Sequence, residues 1–69
     1  MEVRDSEGAL LNEGDSVTLI KDINVRGSAI VIKSGTVVEN VRFTAYDTEI
    51  EGLVQNAPLV FRTEFLKKV

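Results

Sequence analysis

Between Ser16 and Lys21 apolar and polar positions alternate, with Val17 and Leu19 on one side and Ser16 and Thr18 on the other. A period of two is that of a strand with one buried face. The turn-forming run Asn12-Glu13-Gly14-Asp15 leads directly into it, and Gly14 is the residue there that takes positive φ without steric cost. Upstream, Glu2-Val3-Arg4-Asp5 predicts a short strand with Val3 buried, Ser6-Glu7-Gly8 a turn and Ala9-Leu10-Leu11 an apolar return. Residues 2–11 therefore predict a small hairpin.

The same period recurs downstream. Ile23 and Val25 alternate before a turn at Arg26-Gly27, and Ile30-Val31-Ile32 fits either a short strand or a loop whose isoleucines plug one end of a barrel. From Thr36 to Phe43 the pattern slips by one: Val38 is in the even register, Val41 and Phe43 in the odd one. A slip would turn every later side chain to the wrong face, so the strand is expected to carry a β-bulge at Glu39-Asn40. Asn40, the polar residue at that point, is expected to satisfy backbone groups that the bulge opens. After a turn at Thr44-Ala45-Tyr46-Asp47, residues 48–54 alternate with Ile50, Gly52 and Val54 inward. Gly52 is expected where another backbone comes close. Gln55-Asn56-Ala57-Pro58 predicts a turn and Leu59-Val60-Phe61-Arg62 the last long strand, with Leu59 and Phe61 inward. Thr63 is expected to cap a single helical or 3₁₀ turn, with Phe65 packing back on the core.

Four or five short strands at roughly ten-residue spacing, with almost no helix, predict an all-β, small closed barrel of antiparallel strands. Residues 1–69 form one domain, without repeats or linkers, near the lower size limit for folding without staples. Val, Ile and Thr together supply twenty residues and Ala only four, a bias toward strands. No run approaches the length of a membrane span and no secretory leader opens the chain, so a cytoplasmic, non-membrane setting is the expectation.

Cysteine and histidine are both absent. Disulfides, thiolate metal sites and the commonest acid/base side chain are thereby removed, and no metal or cofactor is expected. The glycines stand singly among turns rather than forming a phosphate-cradling loop. Asp47, Glu49 and Glu51 could in principle hold a hard cation, yet alternation alone puts the last two on the wet face of a strand. Asp15 is expected to hydrogen-bond its own turn backbone. The net charge of −3 counts against general nucleic-acid binding. Arg26, Lys33, Arg42, Arg62, Lys67 and Lys68 sit at strand ends or polar strand positions. If Arg42 and Arg62 lie on neighbouring strands, they form a candidate anion-binding pair for phosphonate, phosphate or a nucleic-acid backbone. Tyr46 is the sole polar aromatic, a poor stacking platform for single strands.

The run Gly14-Asp15-Ser16-Val17-Thr18-Leu19-Ile20-Lys21-Asp22, then Arg26-Gly27-Ser28, Lys33-Ser34-Gly35-Thr36-Val37-Val38, Asn40-Val41-Arg42 and Thr63-Glu64-Phe65-Leu66-Lys67-Lys68 resembles the C-terminal domain of the PhnA-like proteins. That family is labelled for an alkylphosphonate uptake operon, a genomic neighbourhood rather than a reaction. The resemblance runs from about Val3 to Val69 and implies an SH3-like barrel. Many members carry an N-terminal zinc ribbon built on paired cysteines, which this sequence lacks; Met1 followed at once by the barrel motif favours a natural short form. Breaking a carbon–phosphorus bond would need a metal or an activated nucleophile, so catalysis is not expected. The first expectation is an interaction or accessory module with a protein partner, exposing Ile20, Ile30 and Val60. The alternatives are anion or nucleic-acid binding at Arg42 and Arg62, and an enzyme of phosphonate metabolism.

Overall fold

A computed structural model describes residues 1–25 and 27–69; Arg26, expected in a turn with Gly27, lies outside the described residues. The chain is all-β. In order it forms β1 (Val17–Leu19), β2 (Ile23–Asn24), β3 (Val31–Ile32), β4 (Val37–Phe43), β5 (Glu49–Val54), β6 (Ala57–Arg62), a 3₁₀ turn over Thr63–Phe65 and β7 (Leu66–Lys68). Five strands make one antiparallel sheet in the order β6-β5-β4-β1-β7, and β2 pairs with β3 as a separate two-stranded ribbon. The described strands number seven rather than five, because two are only two residues long and β7 was hidden in an apparent tail.

Alternation is what closes the core. Val17 and Leu19 of β1, Val38 and Val41 of β4, Ile50 of β5, Phe61 of β6 and Leu66 of β7 are buried together with Val3, Leu11 and Ile32. The even-to-odd slip in β4 is resolved by a bulge. Glu39 faces Leu53 and Arg42 faces Glu51, so β4 advances three residues where β5 advances two. Asn40 takes φ 54° inside it, and Val38 and Val41 both end fully buried. Asn40 thus serves through its tolerance of left-handed backbone, while the preceding loop satisfies the bulged strand. Val41 N–H donates to the Asp15 carbonyl at 3.0 Å, Gly14 N–H donates to the Val41 carbonyl at 2.8 Å, and Phe43 N–H donates to Glu13 Oε2 at 3.0 Å.

Gly14 holds that loop at φ 92°, and a Cβ there would meet no atom within 4 Å. Gly14→Val is therefore expected to cost about 1–3 kcal/mol, all of it backbone strain; an unchanged thermal midpoint would mean that the loop relaxes to negative φ. Gly52 is required for a different reason. A Cβ on it would collide with Val38 Cγ1 and lie 3.4 Å from the Glu39 carbonyl oxygen, so the close neighbour is first a side chain and only second a backbone.

The turn between β5 and β6 is tighter than the sequence suggests. Gln55 and Asn56 take φ 51° and 66°, the two-residue type I′ geometry that matches strand twist. Ala57 and Pro58 consequently belong to β6, where Ala57 faces Val54. At the end of β6, Arg62 occupies the cap position and Thr63 is buried inside the 3₁₀ turn without capping it. Leu66, rather than Phe65, fills the core.

The predicted N-terminal hairpin is present as a single bridge between Arg4 and Leu10, with Leu11 N–H donating to the Val3 carbonyl at 2.8 Å. It is fastened to β7. Ser6 N–H donates to the Leu66 carbonyl at 2.8 Å, and Lys68 N–H donates to Asp5 Oδ2 at 2.7 Å. Asp5 Oδ1 accepts from the amides of Glu7 and Ala9, each at 2.9 Å.

Candidate functional site

Two-residue hairpins fix strand polarity, and that polarity defines the site. With Val54 and Ala57 closing the type I′ turn, β6 residues 57, 59 and 61 direct their backbone groups to β5. Thr63 N–H continues the series by donating to the Thr48 carbonyl at 3.0 Å. Residues 58, 60 and 62 point theirs away from the sheet. Pro58 occupies the first of these positions, where its missing N–H costs nothing. Since β6 ends the sheet, the N–H and C=O of Val60 and the N–H of Arg62 lie along an open edge, without a backbone partner among the described residues.

Beside that edge runs a groove. Ile23, Val25 and Ile32 of the β2–β3 ribbon form one wall, Leu59, Val60 and Phe61 the other, and Phe65 closes one end over about 430 Å³. A second lobe of about 490 Å³ shares Val25, Ile32 and Leu59 and extends along Ile30, Val31, Val54 and Ala57. The two lobes make a continuous apolar trough between the ribbon and β6. Its outer lip is exposed: Ile30 is 61% accessible, Val31 43% and Val60 58%. Such a contiguous apolar surface marks a contact site more often than chance exposure does.

The charged side chains that line the trough are basic, and each is paired with a carboxylate just outside it. Arg62 lines the first lobe and Lys33 the second, and neither lobe is lined by Asp or Glu. Lys21 Nζ lies 4.6 Å from the centroid of the Phe65 ring. Lys33 is 3.6 Å from Asp22 and Arg62 is 3.5 Å from Glu64, both as exposed pairs of small worth. Ser34 N–H donates to Asp22 Oδ1 at 2.8 Å, which with the adjacent lysine holds that carboxyl below its ordinary range against an opposing desolvation.

The residues singled out in the sequence fall elsewhere. Arg42 and Arg62 are not on neighbouring strands: they lie on β4 and β6 with β5 between them, Arg42 facing Glu51 and Arg62 facing Glu49. Two strand spacings and two residues of rise separate their α-carbons by roughly 12 Å, across a pair of glutamates that opposes any shared anion. Those glutamates are the wet face of an amphipathic strand, as alternation implied. Among the described residues no three carboxylates converge as a metal site. Asp15 Oδ2 accepts from its own turn, from Asn12 N–H at 2.8 Å, and lies 3.5 Å from Lys68 Nζ. Ile20, Ile30 and Val60 are all exposed, as expected of the outward register. The trough is not legible in the sequence, because nothing local says that the β2–β3 ribbon packs opposite β6.

With this geometry in hand, comparison with known proteins places residues 3–69 on the family model described as YjdM, PhnA domain. The chain is 43% identical over 67 residues to protein YjdM of Escherichia coli K12, covering 96% of this chain and 60% of that protein. It is 42% identical over 66 residues to the YjdM homolog of Haemophilus influenzae, covering 96% and 52% respectively. Against protein YjdM of Streptococcus mutans the identity is 38% over 68 residues, covering 97% and 62%. The chain thus spans somewhat more than half the length of the curated relatives it matches.

Proposed function

Because the chain belongs to the YjdM family of PhnA domains, we propose that these residues form the SH3-like barrel half of such a protein, and that they work as a non-catalytic cytoplasmic module docking an apolar segment of a protein partner. The observation that carries this reading is the trough between the β2–β3 ribbon and β6. It is apolar, continuous over two lobes and flanked by exposed Ile30, Val31 and Val60. Ligand sites of this kind join an apolar lining to a few polar groups that set orientation, and here Asn24, Lys33 and Arg62 fill that role. No cysteine stands among these 69 residues, so the proposed barrel itself carries no thiolate zinc site.

Selection of displayed random peptides on the immobilised domain, followed by amide chemical-shift mapping with the enriched peptide, tests the proposal. Shifts at Ile23, Val25, Ile32, Leu59 and Phe61 are expected. Failure to enrich any peptide would overturn it. Parallel titrations with methylphosphonate, phosphate and a short oligonucleotide at low salt address the anion reading, for which Arg42, without a carboxylate within 4 Å among the described residues, is the remaining support. Salt-sensitive shifts confined to Arg42 and Arg62 would replace the docking proposal with that one.

A further inference from the structure

The two ends of the five-stranded sheet are treated differently. The outer side of β7 is covered, because Ser6 N–H bonds the Leu66 carbonyl and Asp5 accepts the Lys68 amide. Among the described residues the outer side of β6 has no such cover: the sheet ends there, and the N–H and C=O of Val60 and the N–H of Arg62 point outward beside the trough. Resting on the docking proposal above, the geometry points to strand addition as the way the partner binds. We propose that an extended segment of another protein, apolar at alternate positions and flanked by carboxylates, adds to β6 as a sixth strand of the sheet.

Three features carry this. First, open edges accept a strand through main-chain bonds while alternate side chains fill pockets. A residue bonded opposite Val60 would place its own side chain on the outer face and its two neighbours' side chains beside Leu59 and Phe61, in the trough. Second, the charged side chains on the trough walls among the described residues are Arg62 and Lys33, whose exposed pairs with Glu64 and Asp22 are weak, so carboxylates at the ends of the segment compete for them. Third, a second copy of this chain is a poor occupant. Antiparallel pairing of two β6 strands about Val60 would set Arg62 against Pro58, which has no N–H to return.

The experiment uses the whole chain and a blocked heptapeptide that alternates valine with threonine between terminal aspartates. Expected results are saturable amide shifts at Leu59 and Phe61, at least tenfold slower hydrogen exchange at the Val60 amide, and weakening by added salt. N-methylation of the central peptide residue should reduce affinity at least tenfold without touching the protein. Val60→Pro should do the same from the other side, with Pro58 showing that the edge accepts proline. Replacing the aspartates with lysines should also weaken binding tenfold, and Arg62→Glu should restore the lysine version. Binding that shifts the trough but leaves Val60 exchange unchanged and ignores N-methylation would overturn strand addition and leave the docking proposal standing. Failure of every peptide, selected or designed, would overturn the docking proposal itself. A dimer in sedimentation that Val60→Pro disrupts would show instead that the edge belongs to a second copy.

Discussion

Phe61→Ala is expected to destabilise the domain by about 3–5 kcal/mol, the range for removing a buried aromatic side chain. Phe61 is 4% exposed and stands opposite Ile50, itself fully buried, in the register of β5 and β6. Its ring seals the core and also forms part of the trough wall. In a domain of this size each kcal/mol moves the thermal midpoint by roughly 4–8 °C, so the variant is expected to melt well over ten degrees earlier and to be partly unfolded at ambient temperature. Val60→Ala, one residue away on the exposed face, is expected to change stability by no more than about 0.5 kcal/mol. Urea denaturation of both variants is decisive as a pair: equal losses would mean that β6 does not keep the register described for it.

Asp5→Ala is expected to cost about 3–5 kcal/mol through a different mechanism. A carboxylate that is only 7% exposed accepts three backbone amides, from Glu7 and Ala9 at 2.9 Å and from Lys68 at 2.7 Å. Hydrogen bonds to a charged acceptor contribute about 1.5–3 kcal/mol each, and donors left without one carry their desolvation cost. Asp5→Asn should fall between wild type and alanine, because its amide keeps an acceptor for the turn and presents a donor to the other side. Burial is the largest single influence on the Asp5 carboxyl and raises its pKa. The amides of Lys68, Ala9 and Glu7 and the charge of Lys67 together outweigh it, so the folded pKa lies below the ordinary value of 3.8. The folded state then binds the proton more weakly than the unfolded state. The contribution is fully present above the unfolded pKa, near neutral pH, and disappears as the pH falls through the folded one. Wild-type stability should drop between about pH 4 and the folded pKa, and the Asp5→Ala variant should show a smaller drop; parallel acid dependences would remove Asp5 from this role.

Much of the sheet was legible because strand patterning is local. The parity change from Val38 to Val41 is visible in four letters and implies the bulge on its own. Gly14, and the inward set Ile50, Gly52 and Phe61, follow from turn chemistry and alternation in the same way. What escaped the sequence is what depends on distant partners. Asp5 reads as an ordinary polar residue at a strand end until Lys68 arrives beside it. Leu66-Lys67-Lys68 is too short and too charged to announce a strand, and β1 makes it one through pairing with Val17, Thr18 and Leu19. Alternation gives a face but not a strand order, so the sequence leaves Arg42 and Arg62 as possible neighbours. The β4-β5-β6 meander puts a row of glutamate between them. The trough was hidden for the same reason, since its two walls are separated by the length of two hairpins.

The bond between Asp5 and Lys68 spans 63 positions, and it has a kinetic meaning as well as a static one. The three-stranded meander of β4, β5 and β6 closes through short turns and can form early, whereas β1 gains its second neighbour only when Leu66–Lys68 is in place. Closing so long a loop carries an entropic cost that no contact offsets until it is complete. On a ribosome the first strand of this unit must therefore wait, half-paired, for the last to emerge. Destabilising substitutions at the Asp5–Lys68 junction should accelerate unfolding while barely slowing folding, and those within the meander should do the reverse.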